Sequence, residues 1–302
     1  MSPGEDSPGN WGRWGTDDER GAANLVDSDK VRTAAGTVRT GKVYPLGFEI
    51  SARRSLAHPA RPRPAHFMTL DGGDFAAGLQ APDGAQWAED SVFLPVHGTT
   101  HVDALSHFWA GDLLYNGHPA TSVRSSGARR CGVEKIGALA TRGVLLDLAA
   151  AAGLDHLPGG HVITAGELQA CADRQGVALA PGDAVLIRTG WPRVYEDDPQ
   201  RYGLSSPGIG IEAAELLADA DVTLVGSDNF AVEAMLEGGR YDGGGRAPVV
   251  HRLLLRDRGI YMLEVLALDE LAADAVWEFL FVLAPLRIVG GTGSPVNPVA
   301  IA

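Results

Sequence analysis

The sequence predicts a mixed α/β domain, and three observations support this fold class. Hydrophobic residues make up 45% of the 302 residues and charged residues 21%, which is typical of a globular protein with a sizeable core. Segments with the pattern of strands outnumber about five segments with the pattern of helices. The helices do not follow every strand, which disfavours a doubly wound sheet. Because no internal repeat or linker interrupts the chain, we expect a single domain with elaborations.

The N-terminal part is predicted to be an extension of this domain. Its first dozen residues are rich in Gly, Pro, Ser and acidic residues, which indicates a mobile lead. A short helix is expected over residues 27–41 and a strand over 43–51. The stretch 53–65 contains three prolines and indicates a surface loop. The predicted division is residues 1–42 for the extension with its short helix and 43–302 for the main domain.

Turn and capping signals predict the later elements. Thr164 and Glu167 have the spacing of a capping box, so a helix is expected to open there and to run to about Gln175. Pro248 suits the first turn of a helix that carries His251 and ends before Gly259. Further strands are predicted at 184–189, 222–226, 260–266 and 276–283, a further helix at 211–220, and a Gly/Pro turn at 290–295 before a last short strand.

Charge and cysteine content exclude several classes of partner. The formal net charge is −13, and no run of Lys or Arg is long enough to follow a phosphate backbone, so we expect no nucleic-acid partner. The two cysteines, Cys131 and Cys171, form no disulfide framework and are expected to be structural. Neither a secretion signal nor an apolar stretch long enough for a membrane span is found. The expectation is a cytoplasmic protein that acts on a small molecule and not at a membrane.

One short run concentrates the residues with metal-binding chemistry. His97, His101, Asp103 and His107 place three imidazoles and one carboxylate within eleven residues, and these ligand types suit zinc, manganese or iron. An extended strand would put His97 about 33 Å from His107. Ligands of one ion must lie within a few ångströms of one another. We therefore predict that the chain curls through this run, where the small Gly98, Ala104 and Ser106 permit it.

Each of these residues also has a simpler interpretation. A single His or Asp near an apolar strand is more often a surface residue or a hydrogen-bonded core residue than a metal ligand. Four of them at ligand spacing favour a metal site. In this interpretation His97, His101 and Asp103 bind the ion, and His107 either binds it or carries a proton.

Two distant residues are candidates for the same site. Glu264 stands in the middle of an apolar predicted strand, where burying a carboxylate without a partner costs several kcal/mol. Either Glu264 faces solvent at a sheet edge or it needs a cation. His251 stands among aliphatic residues of a predicted helix, and it is either a core residue with a satisfied hydrogen bond or a further ligand or proton relay. The pair Asp228 and Asn229, after a predicted strand, either lines the site or forms an Asx turn.

The run from His97 to Phe108 resembles the H-x-G-T-H-x-D-x-P-x-H-F signature of the cyclase family. This family includes bacterial arylformamidases (kynurenine formamidases), isatin hydrolases and a trans-dienelactone hydrolase. The resemblance continues through His251-Arg252-Leu253-Leu254, the segment bearing Glu264, and the tail from Pro285 to Pro295. It spans the chain from about Val43 to its end. It implies a swivelling β/β/α fold, a homodimer or homotetramer, and a centre of one or two zinc or manganese ions.

The resemblance also implies roles for individual residues. His97, His101 and Asp103 resemble the ligands of one ion. His107 resembles a general acid/base or a ligand of a second ion, and His251 and Glu264 resemble the remaining ligands of that second site. Thr99 stands where the family commonly has Gly, and Leu105 where it commonly has Pro. These departures leave the ligand spacing intact and bear on the shape of the loop.

The predicted function is a metal-dependent hydrolase that uses activated water on a cyclic or aryl amide, formamide or lactone. His107 and His251 are the candidate catalytic residues. Substrate contact is predicted for a set of aromatic and imidazole side chains: Trp11, Trp14, His66, Phe67 and Trp109. Core packing explains the four aromatic side chains of this set at least as readily. Two alternatives stay open: a lyase or cyclase that uses the same metal, and a metal-binding protein without activity.

Overall fold

A nine-stranded mixed sheet organises the chain in a computed structural model, which describes residues 9–52, 55–56 and 60–302. The strands, in chain order, are β1 Val43–Pro45, β2 Ala65–Leu70, β3 Glu89–Phe93, β4 His101–Asp103, β5 Val123–Arg124, β6 Gly127–Ala128, β7 Leu139–Asp147, β8 Val162–Ile163, β9 Ala184–Arg188, β10 Gly208–Ile209, β11 Leu224–Ser227, β12 Tyr261–Glu264, β13 Glu278–Leu283, β14 Gly293–Pro295 and β15 Val299–Ile301. The order across the large sheet is β1-β15-β13-β7-β9-β11-β12-β4-β14.

The centre of the sheet is parallel and its flanks are antiparallel. Strands β7, β9, β11 and β12 run parallel to one another. On one side β13 pairs antiparallel with β7, and on the other side β4 pairs antiparallel with β12. All of β9 and β11 is buried, as expected for parallel strands covered on both faces. The carboxyl ends of the parallel strands therefore meet at one edge, where α/β sheets commonly bind ligands.

Helices cover the sheet and complete the core. In chain order they are α1 Ser28–Ala35, α2 Gly72–Ala76, α3 Leu148–Ala151, α4 Ala165–Gln175, α5 Pro192–Asp197, α6 Pro199–Leu204, α7 Ile211–Asp219, α8 Val249–His251 and α9 Asp269–Ala273. Helix α1 packs on β7 and β13, α4 packs on β7, and α7 packs on α4. Helix α8 continues as the wider π-helical turns of Arg252–Arg258. The structure is the mixed α/β fold that the sequence predicts.

Several predicted elements are confirmed in place and others are shorter. The capping box of Thr164 and Glu167 is present at the start of α4. Helix α1 ends at Ala35 and not at the predicted Gly41, because beyond Gly36 the Thr37 and Val38 N–H groups donate to carbonyls three residues earlier, Ala34 and Ala35, and no longer four. The first strand spans three residues and not nine. Just after this strand, Gly47 packs closely against Asn297. A Cβ at position 47 would lie only 2.8 Å from Asn297 Oδ1.

The N-terminal segment lies on the main domain. The Asn10 and Ala22 N–H groups donate to the carbonyls of Asp257 and Gly259, and Trp11 Nε1 donates to the Arg256 carbonyl. The division at residue 42 stays a prediction. Most of the predicted mobile lead, and residues 53–54 and 57–59 of the predicted loop, lie outside the described residues.

The two cysteines lie in the hydrophobic core. Cys131 and Cys171 are both buried and free, as expected for structural thiols. Across the ranges that the structure describes, no helix is long and apolar enough to cross a bilayer.

Candidate metal centre

His101, Asp103 and Glu264 meet where β4 pairs with β12. The register places His101 opposite Glu264, and Asp103 stands two residues further along β4, so all three side chains share one face of the sheet. Their heavy-atom distances are short: His101 Nε2 lies 3.3 Å from Glu264 Oε2 and 3.5 Å from Asp103 Oδ1. All three residues are buried. Glu264, the last residue of the parallel β12, therefore does not face solvent at a sheet edge.

The chain curls around β4, as the spacing predicts. Strand β4 covers only three residues, and His97 lies in the turn before it. After the strand, the His107 N–H donates to the Ala104 carbonyl and closes a second turn. The two turns bring the His97 and His107 rings to a centroid distance of 4.2 Å. Residues that an extended strand would hold far apart therefore lie beside Asp103.

Hydrogen bonds orient two of the imidazoles. His101 Nδ1 donates to the Thr99 carbonyl over 2.5 Å, which turns Nε2 toward the carboxylates. His97 Nδ1 donates to Asp103 Oδ1 over 2.7 Å, and its Nε2 accepts from the Thr292 hydroxyl. A Cβ at Gly293 would lie 2.5 Å from His97 Cε1, so this ring depends on the glycine of the C-terminal tail.

His251 enters the cluster from α8. Its Nε2 lies 4.0 Å from Asp103 Oδ2 and 3.6 Å from Glu264 Oε1. The opposite nitrogen, Nδ1, donates to Glu233 Oε1. Glu233 is 1% exposed and also accepts from the Val250 N–H. The sequence interpretation missed Glu233, although the argument used for Glu264 applies to it, since it is a lone carboxylate in the apolar run from Ala231 to Met235.

The donor set fits a divalent cation. Asp103 Oδ2 is buried and accepts no hydrogen bond from any part of the chain that the structure describes, although an unpaired buried carboxylate oxygen is costly. Ligand atoms of His97, Asp103 and His107 lie within 4.8 Å of one another, and so do those of His101, Asp103 and Glu264. The two groups share Asp103. They place His97 and His101 in different groups, whereas the resemblance assigns both to the same ion.

Burial and pairing shift the pKa values within the cluster. Burial lowers the pKa of His101, but hydrogen bonds to Asp103 and Glu264 outweigh burial and raise it to about 10. Burial raises the pKa of Asp103, and the neighbouring histidines, above all His107, bring it well below its usual range. The pKa of Glu264 is also lowered, because His101 and His251 outweigh burial and the Asp103 charge. Both carboxylates are therefore ionised at neutral pH.

His107 and His251 have opposite pKa shifts. Burial lowers the pKa of His107 to about 4, with partial compensation by the Asp103 charge. Burial also lowers the pKa of His251, but the charges of Glu233 and Glu264 reverse the effect and bring it well above its ordinary value. His107 is thus a neutral imidazole at pH 7, and it is the more exposed of the two rings.

Two strained valines flank the buried glutamates. Val232, next to Glu233, has a φ of 58°, and Val265, next to Glu264, has a φ of 59°. A β-branched residue in this left-handed region costs about 1–3 kcal/mol and persists only where the surroundings enforce it. Asn229 supplies that constraint at both places. Its Oδ1 accepts from the Val232 N–H and its backbone carbonyl accepts from the Val265 N–H.

The predicted pair Asp228 and Asn229 therefore has separate roles. Asn229 is fully buried and joins the two strained segments. Asp228 accepts from the Thr189 hydroxyl and from the Thr189 and Gly190 N–H groups, so it holds the neighbouring loop. Neither residue lines the cavity at the cluster. The Asx-turn interpretation applies to Asn229, whose side chain caps the turn to Val232.

A cavity of about 410 Å³ opens onto the cluster. Imidazoles and Glu264 form one wall, and apolar and aromatic side chains form much of the rest. The lining consists of Ala60, Arg61, His97, Gly98, His101, His107, Phe108, Phe230, Ala231, Met235, Tyr241, Pro248, His251, Glu264 and Val265. The volume suits a small ligand of aromatic size.

The predicted substrate-contact residues lie elsewhere than this lining. Trp11 packs against the Arg256 guanidinium, and the Trp14 ring lies beside the Arg13 guanidinium. His66 pairs with Asp90 on the β2–β3 hairpin, where Phe67 is exposed. Trp109 is also exposed, and its chain neighbour Phe108 faces the cavity. Direct substrate contact by these five side chains stays a prediction.

Comparison with known proteins places the chain among relatives of the same fold. Isatin hydrolase of Roseibium aggregatum is 27% identical over 227 residues, which cover 72% of this chain and 76% of that protein. A crystal structure described as a novel cyclase has a TM-score of 0.89 and 35% identity, covering 98% of this chain and all of the other. Isatin hydrolase A from Labrenzia aggregata, bound to benzyl benzoate, has a TM-score of 0.61 at 24% identity, covering 88% and 94% of the two chains.

A family model confirms the resemblance. Residues 45–234 match the model named Cyclase, whose description is "Putative cyclase". This range is more than half of the chain, and it includes the run from His97 to His107 as well as Glu233. His251 and Glu264 lie beyond it, in the part of the chain that the 35%-identical structure also covers. The chain belongs to the cyclase family.

Proposed function

We propose that this protein is a metal-dependent hydrolase that cleaves or opens a cyclic or aryl amide, formamide or lactone. The observation that carries the proposal is the buried, unpartnered Asp103 Oδ2, which faces the nitrogens of His107 and His251. A buried carboxylate oxygen surrounded by imidazole nitrogens is the arrangement that a divalent ion satisfies. The name of the curated relative, isatin hydrolase, supports hydrolysis as the reaction class.

The metal centre would be held by six side chains that offer nitrogen and oxygen donors. These are His97, His101, Asp103, His107, His251 and Glu264. We assign zinc or manganese, because a set of imidazoles and carboxylates without thiolates suits both. Asp103 belongs to both groups of close ligand atoms, which favours two ions over one. When bound, such an ion supplies a Lewis acid that polarises a carbonyl and makes water nucleophilic near neutral pH.

His107 is the proposed proton carrier. Its side chain is the most exposed of the imidazoles that approach Asp103, and it lines the cavity. The Nε2 atom is 3.9 Å from Asp103 Oδ2, so the carboxylate can steady a protonated ring while the proton passes to the leaving group. His251 is the second candidate for proton transfer. The Glu233 contact at Nδ1 fixes which nitrogen of His251 faces the cluster.

The cavity walls favour a flat, largely apolar substrate. Phe108, Phe230 and Met235 form apolar surface next to the imidazoles, and these residues can exclude water from one side of a bound ring. Tyr241 places a phenol among them. This lining supports an aryl or cyclic substrate over an extended peptide.

The deciding experiment combines metal analysis with a substrate panel. Purified protein is analysed for bound metals and then assayed with N-formyl-arylamines, isatin-like lactams and lactones, with and without added zinc or manganese. Metal-dependent turnover of at least one class is expected. Protein that binds neither metal and turns over none of these classes with metal present would contradict the proposal.

A lyase or cyclase reaction is the alternative within the same family. The 35%-identical structure is described as a cyclase, and this description supports the alternative. Turnover in water enriched in heavy oxygen separates the two reactions, because hydrolysis incorporates one solvent oxygen into the product and a ring closure or elimination does not. A product without the label would overturn hydrolysis. A protein that needs the metal to fold and has no activity would be a metal-binding protein.

A further inference from the structure

One residue in the cavity at the proposed metal centre has no part in the chemistry described so far. Arg61 is the only Lys or Arg among the described residues that line this cavity, and it is exposed. Its guanidinium forms no ion pair or hydrogen bond with any residue in the part of the chain that the structure describes. The five N–H donors of Arg61 are therefore available to a ligand in the cavity.

The backbone next to Arg61 is stiffened by prolines. Pro62 follows Arg61 directly, and the buried Pro64 stands two residues further on. A proline fixes its own φ and confines the residue before it to extended conformations. Arg61 therefore loses less conformational freedom on binding a ligand than an arginine in a flexible loop would lose.

Tyr241 offers a second hydrogen-bond donor to the same cavity. The next residue, Asp242, accepts from the Ile211 N–H and so fixes the backbone beside Tyr241 to the start of α7. Burial raises the pKa of the Tyr241 phenol, and the charges of Glu233 and Glu264 add to the shift. The hydroxyl therefore keeps its proton at neutral pH and remains a donor.

The carboxylate that lines the cavity is already paired. Glu264 Oε2 lies 3.3 Å from His101 Nε2, and Glu264 Oε1 lies 3.6 Å from His251 Nε2. The formal net charge of −13 makes the chain as a whole unattractive to anions. An unpaired guanidinium inside a cavity reverses that sign locally. The described lining thus offers free donors suited to an anionic group.

We propose that the substrate carries a carboxylate in addition to its scissile amide, formamide or lactone, and that Arg61 binds this carboxylate. The inference rests on the proposed function and narrows its substrate class. A guanidinium bonds a carboxylate through two parallel N–H donors, and this geometry orients the substrate as well as attracting it. The cavity of about 410 Å³ has room for one ring that bears both groups. Arg61 is thus a specificity-determining residue.

Pairs of substrates that differ by one carboxylate test this inference. N-formylaniline is compared with N-formyl-para-aminobenzoate, and isatin with a ring-carboxylated isatin, on the metal-loaded protein. The unmodified chain is expected to favour the carboxylated member at least about tenfold in kcat/KM. Arg61→Gln should abolish the preference by raising KM for that member alone. The matched control is Arg63→Gln, which removes the same charge two residues away, outside the lining, and should keep the preference. A preference that persists in Arg61→Gln, or is lost equally in Arg63→Gln, overturns the proposal.

Equilibrium binding separates this inference from the proposed function. Calorimetric titration compares para-aminobenzoate with aniline, the ring products of the two formamides, so the measurement needs no turnover. If none of the substrates is hydrolysed, the proposed function fails, but para-aminobenzoate is still expected to bind at least about tenfold more tightly than aniline and to lose this advantage in Arg61→Gln. Equal affinity for the two compounds in the unmodified chain overturns the carboxylate site. So does an advantage that survives in Arg61→Gln, because the carboxylate is then bound by the metal or by another residue. Circular dichroism verifies that each variant is folded.

Discussion

Glu233 accepts a hydrogen bond from Nδ1 of His251, and this contact turns the opposite nitrogen toward Asp103 and Glu264. A cation that binds at Nε2 takes the place of the proton there, and the carboxylate at Nδ1 keeps the other proton of the ring, so that the Nε2 lone pair faces the cation. The contact joins the loop after β11 to α8, two segments that are eighteen residues apart at these positions. Glu233 is thus a positioning residue for the proposed metal centre.

Replacing Glu233 by Gln is expected to weaken zinc or manganese binding, or to slow turnover, by about 10- to 100-fold. Gln keeps an acceptor oxygen for Nδ1 but removes the charge that supports the ring. Metal titration and the pH profile of turnover provide the measurement. Glu237→Gln is the control, because Glu237 is an exposed carboxylate of the same loop. A Glu233→Gln variant with lower thermal stability but unchanged metal affinity and pH profile would assign Glu233 a purely structural role.

Replacing His107 by Ala is expected to leave metal bound while turnover falls by about two to four powers of ten, the usual contribution of a general acid or base. Metal content and kcat are measured on the same preparation. His161→Ala serves as the control, since His161 pairs with Glu167 and lines a separate cavity. Unchanged turnover would exclude the proton-transfer role, and loss of the metal would identify His107 as a ligand.

The local sequence predicted the part of the site that lies between His97 and His107. The spacing of the four ligand-type residues in this run required the chain to curl. The two turns before and after β4 form that curl. The lone carboxylate of Glu264 was recognisable because an apolar strand cannot bury it without partners. These inferences needed no knowledge of the sheet order.

The remaining parts of the site depend on tertiary contacts that sequence patterns do not carry. Glu233 was detectable as a buried carboxylate, but its bond to His251 depends on how the loop after β11 meets α8. Phe108, Phe230 and Met235 face the cavity because the loop after β4 and the loop after β11 meet there. Helix α1 ends before the predicted Gly41 for a local reason, since the Thr37 and Val38 N–H groups donate to carbonyls three and not four residues earlier.

Binding of zinc or manganese is expected to stabilise the folded protein. A metal present at 100 times its Kd adds about 2.7 kcal/mol, which raises the Tm of a chain of this size by roughly 4 °C. A chelator should reverse the shift, and added metal should restore it. In Asp103→Asn the shift should disappear, because this substitution removes the carboxylate that both ligand groups share. The exposed Asp29→Asn is the control, and an equal shift in Asp103→Asn would contradict the proposed centre.

Replacing Asn229 by Ala is expected to relax the strained segment next to Glu233, whereas the Val265 N–H next to Glu264 keeps its acceptor, the backbone carbonyl of residue 229. The buried N–H of Val232 loses its acceptor, which costs about 1–3 kcal/mol, and the carboxylate beside it loses its fixed position. Metal affinity should therefore fall together with the free energy of unfolding. Adding Val232→Gly tests the cause, because glycine adopts a positive φ without strain. The double variant should regain part of the lost stability without regaining metal affinity. If metal affinity is unchanged in Asn229→Ala, the strained segment at Val232 does not position the ligands.

The raised pKa of Asp228 predicts that the stability of the fold depends on pH, independently of the metal centre. Burial raises its pKa to about 6, although hydrogen bonds from Thr189 and Gly190 and the Arg188 charge oppose the shift. The unfolded chain releases this proton near pH 4. Between about pH 4 and pH 6 the folded state thus binds more protons than the unfolded state, so this group's contribution to stability is complete below pH 4 and is lost as the pH rises through 6.

The measurement is the free energy of unfolding in urea between pH 4 and pH 8, taken as the difference between the unmodified chain and Asp228→Asn. The difference cancels the opposite trend of the other carboxylates, which lose favourable pairing in acid. It should change by about 3 kcal/mol across the window, with the unmodified chain losing stability relative to the variant as the pH rises. The variant itself is expected to be less stable at every pH, because an amide nitrogen then faces the N–H groups that the carboxylate accepts from. A difference that does not vary with pH would show that the Asp228 carboxyl is ionised in the folded protein throughout this range, held so by its three donors.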